Sequence, residues 1–214
     1  MNSTFIKGGL ASAALIMSAC SAPAATQAPP QTGASGGSVA PVTTSTPAPT
    51  TTVASGPATT FSDGTWQVGK DIAPGTYITQ GASGCYWDRS SDLSGSLSSV
   101  ITNDNPTGQA IVTILSTDAG FTSQGCGTWS PLPTSGSQAT SFGDGTWAVG
   151  INIAPGTYQT QGGNGCYWAR ESAFGAGEPG IIANDNPTGP VVVSISPTDV
   201  AFDSNGCGTW SKTQ

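Results

Sequence analysis

The chain has no histidine, and its 214 residues include only 5 Lys or Arg and 12 Asp or Glu. Without histidine there is no Ser-His-Asp or Cys-His nucleophile and no His-ligated metal centre. The scarcity of basic residues under a formal net charge of -7 argues against a nucleic-acid or anionic-membrane surface. Only 8% of residues are charged, against roughly 25% in an ordinary soluble domain. No long apolar helical pattern stands in their place. Glycine (30) and proline (16) are plentiful instead, which points to turns and β-structure.

The first sixty residues read as delivery and spacing. Lys7 is the only charge before Asp63, and an apolar run over residues 8–17 follows it. That run is too short to span a bilayer as a mature helix, and a basic start followed by an apolar stretch and small residues is the layout of a secretory signal. The segment Met17-Ser18-Ala19-Cys20 resembles the lipobox of bacterial lipoproteins, which implies cleavage after residue 19 and acylation of Cys20. The competing reading is an ordinary cleaved signal with an unpaired cysteine. Residues 21–60 hold no charged and no aromatic side chain. Such Ala/Pro/Thr/Ser/Gly sequence buries too little apolar surface to offset its ordering entropy, so residues 20–60 are expected to form a disordered tether. Fully extended it would reach roughly 120 Å.

The remainder is one unit written twice. Phe61-Ser62-Asp63-Gly64-Thr65-Trp66 recurs as Phe142-Gly143-Asp144-Gly145-Thr146-Trp147, and Cys85-Tyr86-Trp87 as Cys166-Tyr167-Trp168. Asn103-Asp104-Asn105-Pro106-Thr107-Gly108 and Cys126-Gly127-Thr128-Trp129-Ser130 also recur, always 81 residues on. Of the 70 positions 61–130, 41 are identical in the second copy without a gap. Two copies of this length are tandem domains, not a solenoid. We therefore expect units at 61–130 and 142–214, joined by a Pro/Ser/Thr/Gly linker at 131–141.

Within a unit, short alternating segments separated by Gly, Pro, Asn and Asp predict about six strands in an antiparallel β-sandwich or small barrel. Thr65–Val68 and Thr76–Thr79 are expected to form a hairpin, with Pro74-Gly75 as a type II turn. Alternation along the third strand puts Cys85, Trp87 and Arg89 on one face and Tyr86 and Asp88 on the other. The copies differ most at 90–98 and 171–180, read as a variable loop.

A domain of about 70 residues buries a marginal core. Four cysteines remain after Cys20, two per unit and 41 residues apart in each. In an exported chain the duplication selects pairing within units, Cys85 with Cys126 and Cys166 with Cys207.

Three acids recur in both copies, Asp63/Asp144, Asp104/Asp185 and Asp118/Asp199, together with one base, Arg89/Arg170. Paired carboxylates could hydrolyse a glycoside. Every one of these acids stands in turn sequence, however, where Asx side chains cap backbone, and Arg89 is expected to pair with one of them. Asn103-Asp104-Asn105 could supply some oxygens to Ca²⁺, but falls short of six to eight ligands, so no metal is assigned. The aromatic residues offer a stacking surface where they reach solvent. The candidate contact residues are Tyr86, Trp87, Tyr167 and Trp168, with Asp104 and Asp185 beside them.

The run Asp-Gly-Thr-Trp-x-Val-Gly-x-x-Ile-Ala-Pro-Gly-Thr-Tyr, then Gly-Cys-Tyr-Trp-x-Arg, Asn-Asp-Asn-x-x-Gly and Cys-Gly-Thr-Trp, resembles a module of uncharacterised secreted proteins and lipoproteins of high-GC Gram-positive bacteria. The resemblance covers both units and implies export and an all-β fold, with no activity attached. The expectation is a non-enzymatic, extracytoplasmic protein, held to the membrane through lipidated Cys20 or secreted if Cys20 is not acylated. It needs no cofactor and displays two β-domains to envelope polysaccharide or a surface protein. The alternatives are a protease-inhibitor-like module acting through the 90–98 loop, or a carboxylate-dependent hydrolase.

Overall fold

The computed structural model describes residues 56–81 and 84–213. The expected signal segment, Cys20 and most of the expected tether lie outside the described residues. In the first unit the strands are β1 (Gly64–Gln67), β2 (Gly75–Thr79), β3 (Tyr86–Ser90), β4 (Val100–Asp104), β5 (Ala110–Ile114), β6 (Gly120–Gln124) and β7 (Ser130–Pro131). In the second they are β8 (Ser141–Phe142), β9 (Gly145–Ala148), β10 (Gly156–Thr160), β11 (Tyr167–Glu171), β12 (Ile181–Asp185), β13 (Val191–Ile195), β14 (Ala201–Asn205) and β15 (Trp210–Lys212). A short 3₁₀ turn precedes β4, at Leu97–Ser99, and another precedes β12, at Glu178–Gly180.

Each unit is a sandwich of two antiparallel sheets. In the first, β1-β6-β3-β4 faces β5-β2-β7; in the second, β9-β14-β11-β12 faces β13-β10-β15-β8. The cores repeat residue for residue. Phe61, Ile72, Tyr77, Trp87, Phe121 and Trp129 pack together in the first unit. Phe142, Ile153, Tyr158, Phe202 and Trp210 do so in the second. Phe121 meets Trp129 edge-on at 5.4 Å and Trp87 in a stack at 6.3 Å, geometries that aromatic quadrupoles favour. Disulfide Cys85–Cys126 ties the start of β3 to the end of β6, and Cys166–Cys207 ties the start of β11 to the end of β14.

The expected hairpin does not form. β1 pairs with β6, whereas β2 lies in the other sheet between β5 and β7. The reason is Ile72, which is fully buried between the sheets and draws the connection across the end of the sandwich. The left-handed residue there is Gly69 (φ 81), whose N–H donates to the Ile72 carbonyl at 2.8 Å; Gly75 simply opens β2. The units also begin earlier than expected. Ala58 exchanges backbone hydrogen bonds with Asp71 and Ala73, and Ala139 does the same with Asn152 and Ala154. The linker is thus strand-like at both ends, and both sandwiches belong to one compact unit.

Candidate functional site

Asp63 is a buttress. Trp129 Nε1 donates to Ser123 Oγ at 2.8 Å, and Ser123 Oγ donates to Asp63 Oδ1 at 2.6 Å. The same carboxylate accepts the Cys126 and Gly127 amides, so it locks the segment that carries the disulfide. Asp144 repeats this with Ser204, Cys207 and Gly208. Asp118 takes both ends of the Arg89 guanidinium, at 2.7 Å and 2.9 Å, and the Leu115 amide. Asp199 does the same with Arg170 and Ser196. Both acids therefore satisfy buried donors, and with Asp104 they stand at separate places in the unit.

The outward face of the β1-β6-β3-β4 sheet is concave. The 91–99 loop rises over it, held by the Ser91 amide donating to Ser99 O and the Ser99 hydroxyl donating to Ser96 O. The hollow so formed encloses about 400 Å³. Its floor is Tyr86, Asp88 and Ser90 of β3 with Thr65 and Thr122, and its rim is Leu93 and Leu97. Leu93 is 51% and Leu97 91% exposed. Burial pushes the Asp88 carboxyl up, against the opposing effect of the Tyr86 hydroxyl.

The same face of the second unit is not open. There Thr146, Tyr167, Glu171, Gly175 and Asp203 meet residues of the first unit, Trp87, Asp104 and Ile111 among them, and only about 150 Å³ remains between them. The junction is made by backbone and by shape. Gln109 O accepts the Thr146 amide at 2.8 Å, while Gln109 Nε2 donates to Thr146 O. The Thr113 amide donates to Phe174 O, and Arg89 Nη1 donates to Gly175 O at 3.1 Å. A Cβ at Gly108 would stand 2.4 Å from Asp144 O, and one at Gly145 would stand 2.6 Å from Gln109 O, so glycine permits the approach on both sides.

Four carboxylates line this cleft, those of Asp104, Glu171, Asp203 and the exposed Glu178. Burial, with the charges of Asp203 and Asp104, pushes Glu171 up to about 8. Burial and then the Asp104 charge push Asp203 up to about 7, against the Thr146 hydroxyl that donates to it at 3.1 Å. Asp104 is raised by burial as well. Among the described residues, no group of three or more His, Cys, Asp or Glu side chains is arranged to hold a metal ion.

The family model of the Rv1352-like extracellular domain matches this chain twice, over residues 58–130 and 139–211. The chain belongs to that family. Its match boundaries coincide with the Ala58 and Ala139 bridges that open the two sandwiches. Uncharacterised protein Rv1352 of Mycobacterium tuberculosis is 33% identical over 84 residues, covering 33% of this chain and 68% of that protein. Uncharacterised protein Mb1387 of Mycobacterium bovis matches equally. No solved structure matches. The protein is thus an extracytoplasmic, duplicated member of the Rv1352-like family, in keeping with the secreted module it resembles.

Within the Rv1352-like units, strand alternation separates the candidate contact residues. Tyr86 lies in the open hollow and Tyr167 in the cleft. Trp87 is corrected from a contact residue to a core residue, because β3 turns it inward onto Phe121, leaving it 3% exposed. Trp168 stacks likewise on Phe202 but is only partly buried. Asp104 joins the cleft, whereas Asp185 is exposed and accepts the Asn186 amide. Glu171 and Asp203 were not sequence candidates, since Ser90 and Thr122 stand at their places in the first copy. Acids present in only one copy, beside an outward tyrosine, were the available signal.

Proposed function

We propose that this Rv1352-like protein is a non-enzymatic module displayed at the cell envelope, anchored through acylated Cys20, and that the hollow of the first unit is its recognition surface. One observation carries the reading. The hollow combines a tyrosine, a buried carboxyl, several hydroxyls and two exposed leucines, while its counterpart in the second unit is occupied. Concavity with a few convergent polar groups and an apolar rim is what a binding site needs. The tether would hold that surface away from the membrane. The retained carboxylates support the non-enzymatic reading, because the buttress and the ion pair already use two of the three.

The test is binding of the full chain to isolated cell envelopes. Leu97→Asp, which puts a charge on the apolar rim, and Tyr86→Ala, which removes the aromatic floor, should each lower retention at least about tenfold. Retention of both variants at the native level would refute the hollow as the surface. Anchoring is tested separately: Cys20→Ala should move the protein from the membrane fraction to the medium, and unchanged membrane retention would remove the lipid anchor.

A protease-inhibitor-like role has one observation of its own, the hydrogen-bonded 91–99 loop with Leu97 at its crest. Inhibition of any member of a protease panel, abolished by Leu97→Asp, would favour it.

A further inference from the structure

The two units meet by a contact that uses different surfaces on each side. The first unit gives an edge, built from β4, β5 and the Arg89 guanidinium. The second gives a hollow, floored by β9, β11 and β14. Every such contact within a duplicated chain leaves one edge and one hollow unused, here the edge of the second unit and the hollow of the first.

The unused surfaces carry the marks of a missing partner. Ile111 is 1% exposed because the second unit covers it, while its counterpart Val192 is 64% exposed. Arg89, with Nη1 on the Gly175 carbonyl, has a side chain 6% exposed; Arg170, whose Nη1 meets no acceptor among the described residues, is 24% exposed. Gly108 must be glycine to admit Asp144, and its counterpart Gly189 is also glycine with nothing within 4 Å. On the other side, Gly64 matches Gly145, and Leu93 and Leu97 stand exposed around the open hollow.

We propose that the chain self-associates head to tail, the β12–β13 edge of one copy seating in the first-unit hollow of the next as β4–β5 seats on the second unit. This rests on the hollow being a recognition surface and names its partner as a second copy. Within the chain Asp104 confronts Glu171 and Asp203; between chains Asp185 would confront Ser90 and Thr122, which can donate hydrogen bonds to it, beside Asp88 of the hollow floor, where the second unit has Ala169. Pro190 replaces Gln109, so the side-chain hydrogen bonds are lost, but its carbonyl can still accept the Thr65 amide. Ser94 stands where Gly175 lets Trp87 approach, so the Ser94 loop must shift to admit Trp168 of the next copy. The linker raises the effective concentration of the intrachain contact, so the intermolecular one is the weaker of the two. A contact of two different surfaces leaves a free end on each complex and builds chains of molecules.

Sedimentation velocity on the purified full chain tests this. The native protein should gain mass with concentration, without a limit at the dimer. Leu97→Asp blocks the hollow and Val192→Asp blocks the edge; each alone should sediment as a monomer with an unchanged melting temperature, since both positions are exposed. Mixed in equal amounts, the two variants should form a dimer and nothing larger, because one intact edge and one intact hollow remain. Gly189→Val is a second block on the edge. A native chain monomeric up to about 1 mM, or association that both substitutions leave intact, overturns the proposal. So does a mixture that stays monomeric. A monomeric native chain that still binds envelopes through Leu97 would overturn self-association alone and leave the recognition surface standing.

Discussion

The carboxylates buried between the units make stability fall as pH rises, opposite to the usual behaviour of native carboxylates. Glu171 is pushed from 4.5 to about 8 by burial and then by the charges of Asp203 and Asp104, and Asp203 from 3.8 to about 7 by burial and then by the charge of Asp104. A raised folded-state value means that the folded protein holds its protons more tightly than the unfolded chain. The penalty is absent below the unfolded values near pH 4, grows above them, and is complete once the pH passes about 8. At about 1.36 kcal/mol per tenfold in proton affinity, Glu171 alone sets a ceiling of about 5 kcal/mol. Both groups are only partly buried and water screens them, which brings the expected cost of the pair to about 2 kcal/mol. For the two sandwiches unfolding together, roughly 150 residues, that is a Tm loss of roughly 4–8 °C between pH 5 and pH 8. Scanning calorimetry across that range checks it, with Glu171→Gln alongside. The variant should melt higher than the native protein at pH 8 and the same at pH 5. A native Tm that climbs from pH 5 to pH 8, with no gain from Glu171→Gln at pH 8, would refute the reasoning.

Asp63 acts with the opposite sign. Burial raises its carboxyl, but the hydrogen bonds from Ser123, Gly127 and Cys126 outweigh this and lower it, so its contribution should be lost as pH falls below about 4; Asp63→Asn should flatten the acid limb of the same calorimetric profile. Replacing Cys85 and Cys126 by serine should cost about 4 kcal/mol in the chain-entropy treatment of a loop of this length, read from denaturant unfolding. Asp118→Asn strands the covered Arg89 guanidinium and should cost about 3–5 kcal/mol, whereas Asp199→Asn should cost less because water reaches Arg170. Gly108→Val drives a side chain into the Asp144 carbonyl and should destabilise by at least about 1–3 kcal/mol, while Gly189→Val, in open space, should leave the Tm unchanged at low concentration.

Much of the fold was legible because it depends on local pattern. The gapless duplication, the Cys spacing and the alternation along β3 lead directly to two disulfide-tied β-domains with Trp87 and Tyr86 on opposite faces, but not to which of the two faces the core. The hairpin was misread because a glycine at each end of a short loop, with Pro74 inside it, looks like a turn whether or not its strands share a sheet. The burial of Ile72 decides that, and burial is a tertiary fact. The junction between the units was invisible for a related reason. Ile111 and Val192 are both apolar and stand at matching positions, so nothing local says that one is covered and the other bare. The retained acids drew attention first, yet two of the three groups that confront each other in the cleft, Glu171 and Asp203, occur in one copy only.

The claim that the first-unit hollow is the recognition surface is tested most directly by hydroxyl-radical footprinting of the protein in place on the cell, against the same protein purified and dilute. Leu93, Leu97 and Tyr86 should lose reactivity on the cell, while Leu115, exposed outside the hollow, should not. Equal labelling of Leu97 in both states would contradict it.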